Sequence, residues 1–320
     1  MLDGFDLTVE PAQRVLLTGP SGAGKSTLLR ALAGVLLTAE AGDLSGRVEV
    51  DGREPQARPG QVGLLLQDPT AAVVAERVGR DVAFGPENLG LHRAAIWRRV
   101  HAALHAVDFP YDVDHPTAAL SGGESQRLAL AGALALEPRV VLLDEPTSML
   151  DPLAADEVRR AVLDVVRDRG STMVVVDHRV EPWLGHVDRL VVLDAEGALM
   201  ADGDPYTLLR THADRLAEQG VWVPGHAEPA AVDVPLDLVE PWDTIGPADG
   251  PAVSACAVSV RHRRRLGARG TGHATLALDG VSADLVPGRA LAVTGASGAG
   301  KSTLVSLLAG LRRPDSGTVR

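Results

Sequence analysis

The sequence predicts an α/β protein built on a parallel sheet, followed by a second, partial copy of the same domain. Three observations predict it. Residues 13–18 form a short apolar run that leads into a glycine-rich loop and then into a helical pattern over residues 25–35. A second apolar run, Val140-Val141-Leu142-Leu143, ends in the carboxylates Asp144 and Glu145. Apolar runs alternating with helical patterns mark strands covered on both faces. Third, the glycine-rich phrase occurs twice, with its lysines, Lys25 and Lys301, 276 residues apart. At that offset Leu2-Asp3-Gly4 falls on Leu278-Asp279-Gly280, and Leu32-Ala33-Gly34 on Leu308-Ala309-Gly310. A long-period repeat of this kind means two copies of one domain.

The bulk properties narrow the class. With 320 residues and 45% hydrophobic content there is room for two domains with real cores. No apolar run reaches the roughly 18 residues that span a bilayer, and the N-terminal residues lack the pattern of a signal peptide. The net charge of −11 argues against nucleic acid as a partner. A single cysteine, Cys256, excludes an internal disulfide and a cysteine-based metal site. The chain reads as cytosolic.

The first loop is Gly19-Pro20-Ser21-Gly22-Ala23-Gly24-Lys25-Ser26-Thr27, the second Gly295-Ala296-Ser297-Gly298-Ala299-Gly300-Lys301-Ser302-Thr303. Both match the nucleotide-binding P-loop, and the first stands between a strand and a helix as that motif requires. The glycines let backbone N–H groups face phosphate oxygens at the positive end of a helix. Lys25 and Lys301 are the two lysines of the chain. A compact ammonium, unlike the wide guanidinium fork, fits beside a phosphate already wrapped in backbone. Lys25 is expected to bridge the β- and γ-phosphates of ATP, and the Ser26 hydroxyl, like Ser302 in the second copy, to ligate Mg²⁺. Asp144 is expected to hold Mg²⁺, and Glu145 to accept a proton from the attacking water. Taken alone, the pair also reads as a solvated acidic turn before Pro146.

Leu120-Ser121-Gly122-Gly123-Glu124 begins a helix. Ser121 and Glu124 have capping-box spacing, and Gly122 and Gly123 leave the first N–H groups bare. That phrase, followed by Leu142-Leu143-Asp144-Glu145-Pro146-Thr147, resembles the ATP-binding-cassette (ABC) ATPases. Gln67 matches the family's Q-loop, Ser148-Met149-Leu150-Asp151 resembles its D-loop, and His178, after the strand at residues 172–176, matches its H-loop. On its own, His178 reads as an ordinary strand-end histidine; in this company it is the γ-phosphate sensor. Other histidines, such as His92, His101 and His105, read as solvated.

The resemblance implies a P-loop NTPase (RecA-like) ABC ATPase core with an antiparallel β subdomain and a helical signature subdomain. It also implies catalytic roles for Glu145, His178 and Gln67, with Gln67 a further metal ligand. Ser121, Gly122, Gly123, Glu124 and Asp151 then belong to the nucleotide interface between two cassettes, the second supplied in cis or in trans. The family's adenine-stacking aromatic corresponds to His262 in the second copy. Gln67-Asp68-Pro69 followed by Asp81-Val82-Ala83-Phe84-Gly85-Pro86-Glu87-Asn88 looks like the ATPases of energy-coupling-factor importers. Their partners are integral membrane subunits, one for coupling and one for substrate binding, and their place is the cytoplasmic face of the membrane. The alternative is a soluble twin-cassette ATPase acting on ribosomes or DNA. A kinase or GTPase leaves residues 120–127 without a role.

The expected domains are residues 1–219, with a helical part at about 70–136, a Pro-rich acidic linker at 220–252, and a second copy at 253–320. The first copy lacks the opening strand that residues 253–275 supply to the second, and the second stops mid-strand at Ser316-Gly317-Thr318-Val319-Arg320, the counterpart of Ser45-Gly46-Arg47-Val48-Glu49. The chain therefore reads as a fragment of a longer two-copy protein. Residues 261–269 read as a basic surface loop.

Overall fold

The structure, a computed structural model, describes residues 2, 4–36, 44–148, 150–219, 221, 223–224, 251–263, 274–295 and 298–320. The chain divides into two compact units, Met1–Glu228 and Pro229–Arg320. Most of the expected linker lies outside the described residues, as do Ala296, Ser297 and residues 264–269.

The first unit runs β1 (Arg14–Thr18), α1 (Lys25–Leu32), β2 (Val62–Leu65), α2 (Val78–Asn88), α3 (Arg93–Ala106), α4 (Gly122–Ala135), β3 (Val140–Asp144), α5 (Pro152–Arg169), β4 (Thr172–Val176), β5 (Arg189–Leu193), β6 (Leu199–Gly203), α6 (Pro205–Thr211) and α7 (Ala213–Glu218). Its six strands form one sheet in the order β2-β3-β4-β1-β5-β6. All pairings are parallel except β5 with β6. Strands β1, β3, β4 and β5 share one burial pattern, four successive buried residues. One apolar layer packs Leu16, Leu143, Val175 and Trp183 against α4 and α5, and the other packs Val15, Leu17, Leu142 and Val174 against α1. Each such side chain contributes about 1.5–3 kcal/mol through burial.

Local chemistry sets the helix ends. Asp151 caps α5, its carboxylate accepting from the N–H groups of Leu153 and Ala154, and Pro152 fills the first turn. Val158, Val162 and Val166 are buried at a spacing of four, which turns one stripe of α5 to the sheet. Helix α1 stops at Leu32 rather than running to residue 35. Gly34 takes φ 74°, its N–H donates to Ala31 and that of Val35 donates to Arg30, a pairing that closes the last turn. His92 is more than a solvated side chain: its ring Nδ1 accepts from Ala95 N at 3.2 Å and caps α3.

The second unit holds β7 (Val253–Arg263), β8 (Ala274–Leu285), α8 (Lys301–Leu308) and β9 (Ser316–Val319). Its strands form an antiparallel sheet in the order β8-β7-β9. The basic stretch therefore begins inside a strand, because the alternation of β7 carries its pairing with β8 through Arg263. Residues 45–49 of the first unit, aligned with β9, form no strand. In the second unit β9 is held by β7, and no strand of the first unit pairs there among the described residues. No helix among the described residues is long and apolar enough to cross a membrane.

Candidate functional site

Four parallel strands deliver their C-terminal ends to one place. Leu17 of β1 and Asp144 of β3 both stand in register with Val176 of β4. Gly19 follows β1, Asp177 and His178 follow β4, and Gln67 follows β2 on the far side of β3. Ligands of parallel sheets sit at this edge.

The loop from Gly19 to Gly24 is built on positive backbone angles. Gly19 has φ 144°, Gly22 φ 87° and Gly24 φ 86°. Lys25 is buried, and its ammonium donates to the carbonyls of Gly19 and Pro20, both at 2.7 Å. These bonds fold the side chain back across the loop. Burial holds the Lys25 ammonium below the ordinary lysine range, opposed by the charges of Glu145 and Asp144.

Asp144 is also buried, which pushes its carboxyl above the usual carboxylate range; a hydrogen bond from the Ser26 hydroxyl works against that shift. Its Oδ1 is buried without a hydrogen-bond partner. A buried carboxylate oxygen left unpaired beside a hydroxyl is the donor chemistry that a hard cation accepts.

Glu145 turns the chain sharply. Its φ is 47°, uncommon for a residue with a Cβ, and its N–H donates to Val176 at 3.0 Å. Both carboxylate oxygens are engaged: Oε1 lies 2.8 Å from Nε2 of His178, and Oε2 accepts from Nε2 of Gln67 at 3.0 Å. Gln67, Glu145 and His178, 111 residues apart at the extremes (67 to 178), thus meet at one carboxylate. Behind His178 stands Asp177, which was not legible as a site residue. It accepts from the indole N–H of buried Trp183 at 2.8 Å and from Arg179 N at 2.9 Å, fixing the turn that presents the histidine. Ser148 Oγ donates to the Glu145 carbonyl at 3.1 Å, which ties the segment leading to Asp151 to the same turn.

Ser121–Glu124 are held separately, at the start of α4. The capping box is complete: Ser121 N donates to Glu124 Oε2 at 2.6 Å and Glu124 N donates to Ser121 Oγ at 3.4 Å. Tyr111, also missed in the sequence, donates its hydroxyl to Glu124 Oε1 at 2.6 Å and stacks on His115 with ring centroids 3.9 Å apart. Burial opposes ionisation of Glu124, but the bonds from Tyr111 and Ser121 outweigh it and hold the carboxyl below its ordinary range. A Cβ at Gly122 would meet nothing within 4 Å, so this helix start is open.

In the second unit the loop repeats the first closely. Gly295, Gly298 and Gly300 have φ 147°, 80° and 86°, and Lys301 donates to Gly295 O at 2.8 Å. Ser302 and Thr303 lie in the first turn of α8. His262 lies in β7 in register with Thr275; its side chain lies outside the described residues.

The family model described as ABC transporter matches residues 2–148 and 278–320. The chain belongs to the ABC transporter family. Its six-stranded core and small antiparallel sheet are those of a P-loop ABC ATPase. A putative ABC transporter ATP-binding protein of Methanosarcina mazei is 33% identical over 356 residues, spanning 100% of this chain and 59% of the relative. Another, SCO2324 of Streptomyces coelicolor, is 33% identical over 359 residues, spanning 98% of this chain and 62% of the relative. The chain thus spans about three fifths of the length of these curated relatives. Among solved structures, cbiO1 from Clostridium perfringens, described as part of the ABC transporter complex cbiONQ, is 29% identical with a TM-score of 0.56, covering 68% of this chain and 90% of its own. The dimeric ABC transporter cassette MJ0796 shares the fold at 23% identity and a TM-score of 0.56, covering 63% of this chain and 90% of its own.

Proposed function

We propose that this protein binds and hydrolyses ATP to drive an ABC importer of the energy-coupling-factor type, carrying a vitamin or a transition-metal ion. The observation that carries the catalytic part is the carboxylate of Glu145, held between Gln67 and His178 one residue from Asp144. The loop from Gly19 to Thr27 wraps the phosphates, with Lys25 on the β- and γ-phosphates. Glu145 takes the proton of the attacking water as the bond to the γ-phosphorus forms and the β–γ bond breaks, giving ADP and phosphate. His178 orients Glu145 and meets the γ-phosphate. Mg²⁺ suits the oxygen set of Ser26, Asp144 and the amide oxygen of Gln67, whose amide nitrogen is already used on Glu145. Bound there, the metal would neutralise phosphate charge.

The open start of α4, Ser121 to Glu124, is assigned to the γ-phosphate of an ATP held by another cassette, with Asp151 at the same interface. The Lys25 site in turn needs such a start from a second cassette, and Lys301 with Ser302 forms the corresponding half-site of the second copy. The importer reading is supported by the residues 67–69 and 81–88 and by the likeness to cbiO1, a component of cbiONQ. Its partners are a coupling and a substrate-binding membrane subunit, which place this protein at the cytoplasmic face of the membrane.

The test is co-purification of the tagged protein from detergent-solubilised membranes of its native cell. Two small, very hydrophobic integral membrane proteins are the expected companions. Ribosomes or DNA-bound proteins, with no membrane partner, would overturn the transport reading and favour the soluble twin-cassette one.

A further inference from the structure

Tyr111 lies in the loop between α3 and α4, and that loop is fixed from several sides. Val78 N donates to His115 O at 3.0 Å and Gly79 N donates to Val113 O at 2.7 Å. The Arg77 guanidinium donates to Asp114 O at 2.6 Å, and the Thr117 hydroxyl donates to Ala75 O at 2.6 Å. These bonds strap the loop to the start of α2. Within it the Tyr111 ring lies nearly flat on His115, with 8° between the planes, and meets Phe109 edge to face with centroids 6.1 Å apart. The position of the ring is therefore set without its hydroxyl. The hydroxyl reaches out of this frame to Oε1 of Glu124.

Glu124 stands in the first turn of α4. A carboxylate there suits the helix dipole, but it is also an anion beside a place assigned to a phosphate, and like charges repel. Burial favours its neutral form, yet the bonds from Tyr111 and Ser121 keep it charged. The capping box engages Oε2 alone, through Ser121 N. With Oε1 unheld, the carboxylate is able to turn toward the N–H groups of Gly122 and Gly123, which no intrahelical bond satisfies, and to act as an internal anion in place of the phosphate. Tyr111 takes Oε1, fixes the plane of the carboxylate and shares its charge.

We propose that Tyr111 is a positioning residue of the α4 half-site: its hydroxyl holds the Glu124 carboxylate off the first N–H groups of the helix and leaves them to the phosphate of the facing nucleotide. The inference rests on the assignment of that helix start to ATP held by a second cassette. The experiment follows phosphate release by the full chain at saturating Mg-ATP over a range of protein concentration, for the parent, Tyr111→Phe, Glu124→Gln and the double variant. Tyr111→Phe keeps the ring and its contacts with His115 and Phe109 and removes the hydroxyl alone. It should raise the protein concentration needed for half-maximal rate by about tenfold or more, as expected for losing a hydrogen bond to a charged group. ATP binding by dilute protein should be unchanged, and the limiting rate should stay within about twofold of the parent. On the Glu124→Gln background, where no charge needs holding, adding Tyr111→Phe should shift the half-maximal concentration by less than about twofold. A loop that merely lost stability moves both backgrounds alike, so equal losses in the two would overturn the proposal. A Tyr111→Phe protein indistinguishable from the parent would overturn it as well. Gly122→Asp separates these results from a failure of the underlying assignment. A side chain at Gly122 has open space and places a carboxylate at the helix start, so activity should fall at every concentration. Activity untouched by Gly122→Asp would overturn the assignment and the inference with it; a loss there beside a silent Tyr111→Phe would overturn the inference alone.

Discussion

Replacing Gly19 by alanine separates two costs that the phosphate loop carries. Gly19 has φ 144°, a conformation that residues with a Cβ rarely adopt, and an added Cβ would lie 2.5 Å from the carbonyl oxygen of Leu193. That oxygen is backbone, at the end of β5, which is paired on both sides by β1 and β6, and cannot swing aside as a side-chain tip would. Strained backbone of this kind costs about 1–3 kcal/mol, and overpacking adds about 1–3 kcal/mol. Gly22 is the internal control. Its φ is 87°, yet an added Cβ meets nothing within 4 Å, so Gly22→Ala carries the strain without the clash. For a unit of this size each kcal/mol lowers Tm by roughly 2–4 °C. Thermal unfolding without nucleotide should place Gly19→Ala about 2–12 °C below Gly22→Ala. Since the Gly19 carbonyl accepts from Lys25, Gly19→Ala should weaken ATP binding as well. Equal Tm values for the two variants would refute the close approach of loop and β5.

Glu145→Gln should retain ATP binding and lose turnover by about 10²–10⁴-fold, read by equilibrium binding beside phosphate release. Asp177→Ala removes the acceptor of the buried Trp183 indole N–H and should cost about 1–3 kcal/mol, read as a lower denaturation midpoint, with a turnover loss as His178 shifts. Asp144 gives a pH test. Burial raises its carboxyl in the folded state, so the folded protein keeps a proton that the unfolded chain releases near pH 4. Its contribution to stability is present below that pH and is lost as pH rises through the folded-state value. Without Mg²⁺ and nucleotide, Asp144→Asn should therefore gain Tm relative to the parent as pH climbs out of the acid range; a constant difference would contradict this. Tyr111→Phe should let the Glu124 carboxyl rise toward its ordinary range, followed by NMR titration of that side chain.

Much of the first unit was legible because its chemistry is local. The run from Val140 to Asp144 is apolar on both faces, so it reads as a covered strand, and Ser121 with Glu124 reads as a cap from spacing alone. The phosphate loop is legible because only glycine accepts its backbone angles. The meeting of Gln67, Glu145 and His178 was visible as a resemblance but not as geometry, since strand order, with β4 between β1 and β3, is set by packing over the whole sheet. Tyr111 and Asp177 were missed for the same reason. A tyrosine in a loop and an aspartate at a strand end carry no periodic signal, and each matters through a partner, Glu124 or Trp183, that the fold brings near. The end of α1 was misplaced by three residues because the helical pattern runs on through Val35, while Gly34 closes the turn.

The central claim is that the Lys25 site is a working half-site that hydrolyses ATP only when a second cassette supplies the helix start of Ser121 to Glu124. Phosphate release at saturating Mg-ATP, measured over a wide range of protein concentration for the parent and for Glu145→Gln, tests it most directly. The account predicts a parent rate per chain that rises with concentration, and a Glu145→Gln rate near background at every concentration while ATP still binds. A parent rate per chain that is constant, or hydrolysis undiminished in Glu145→Gln, would contradict it.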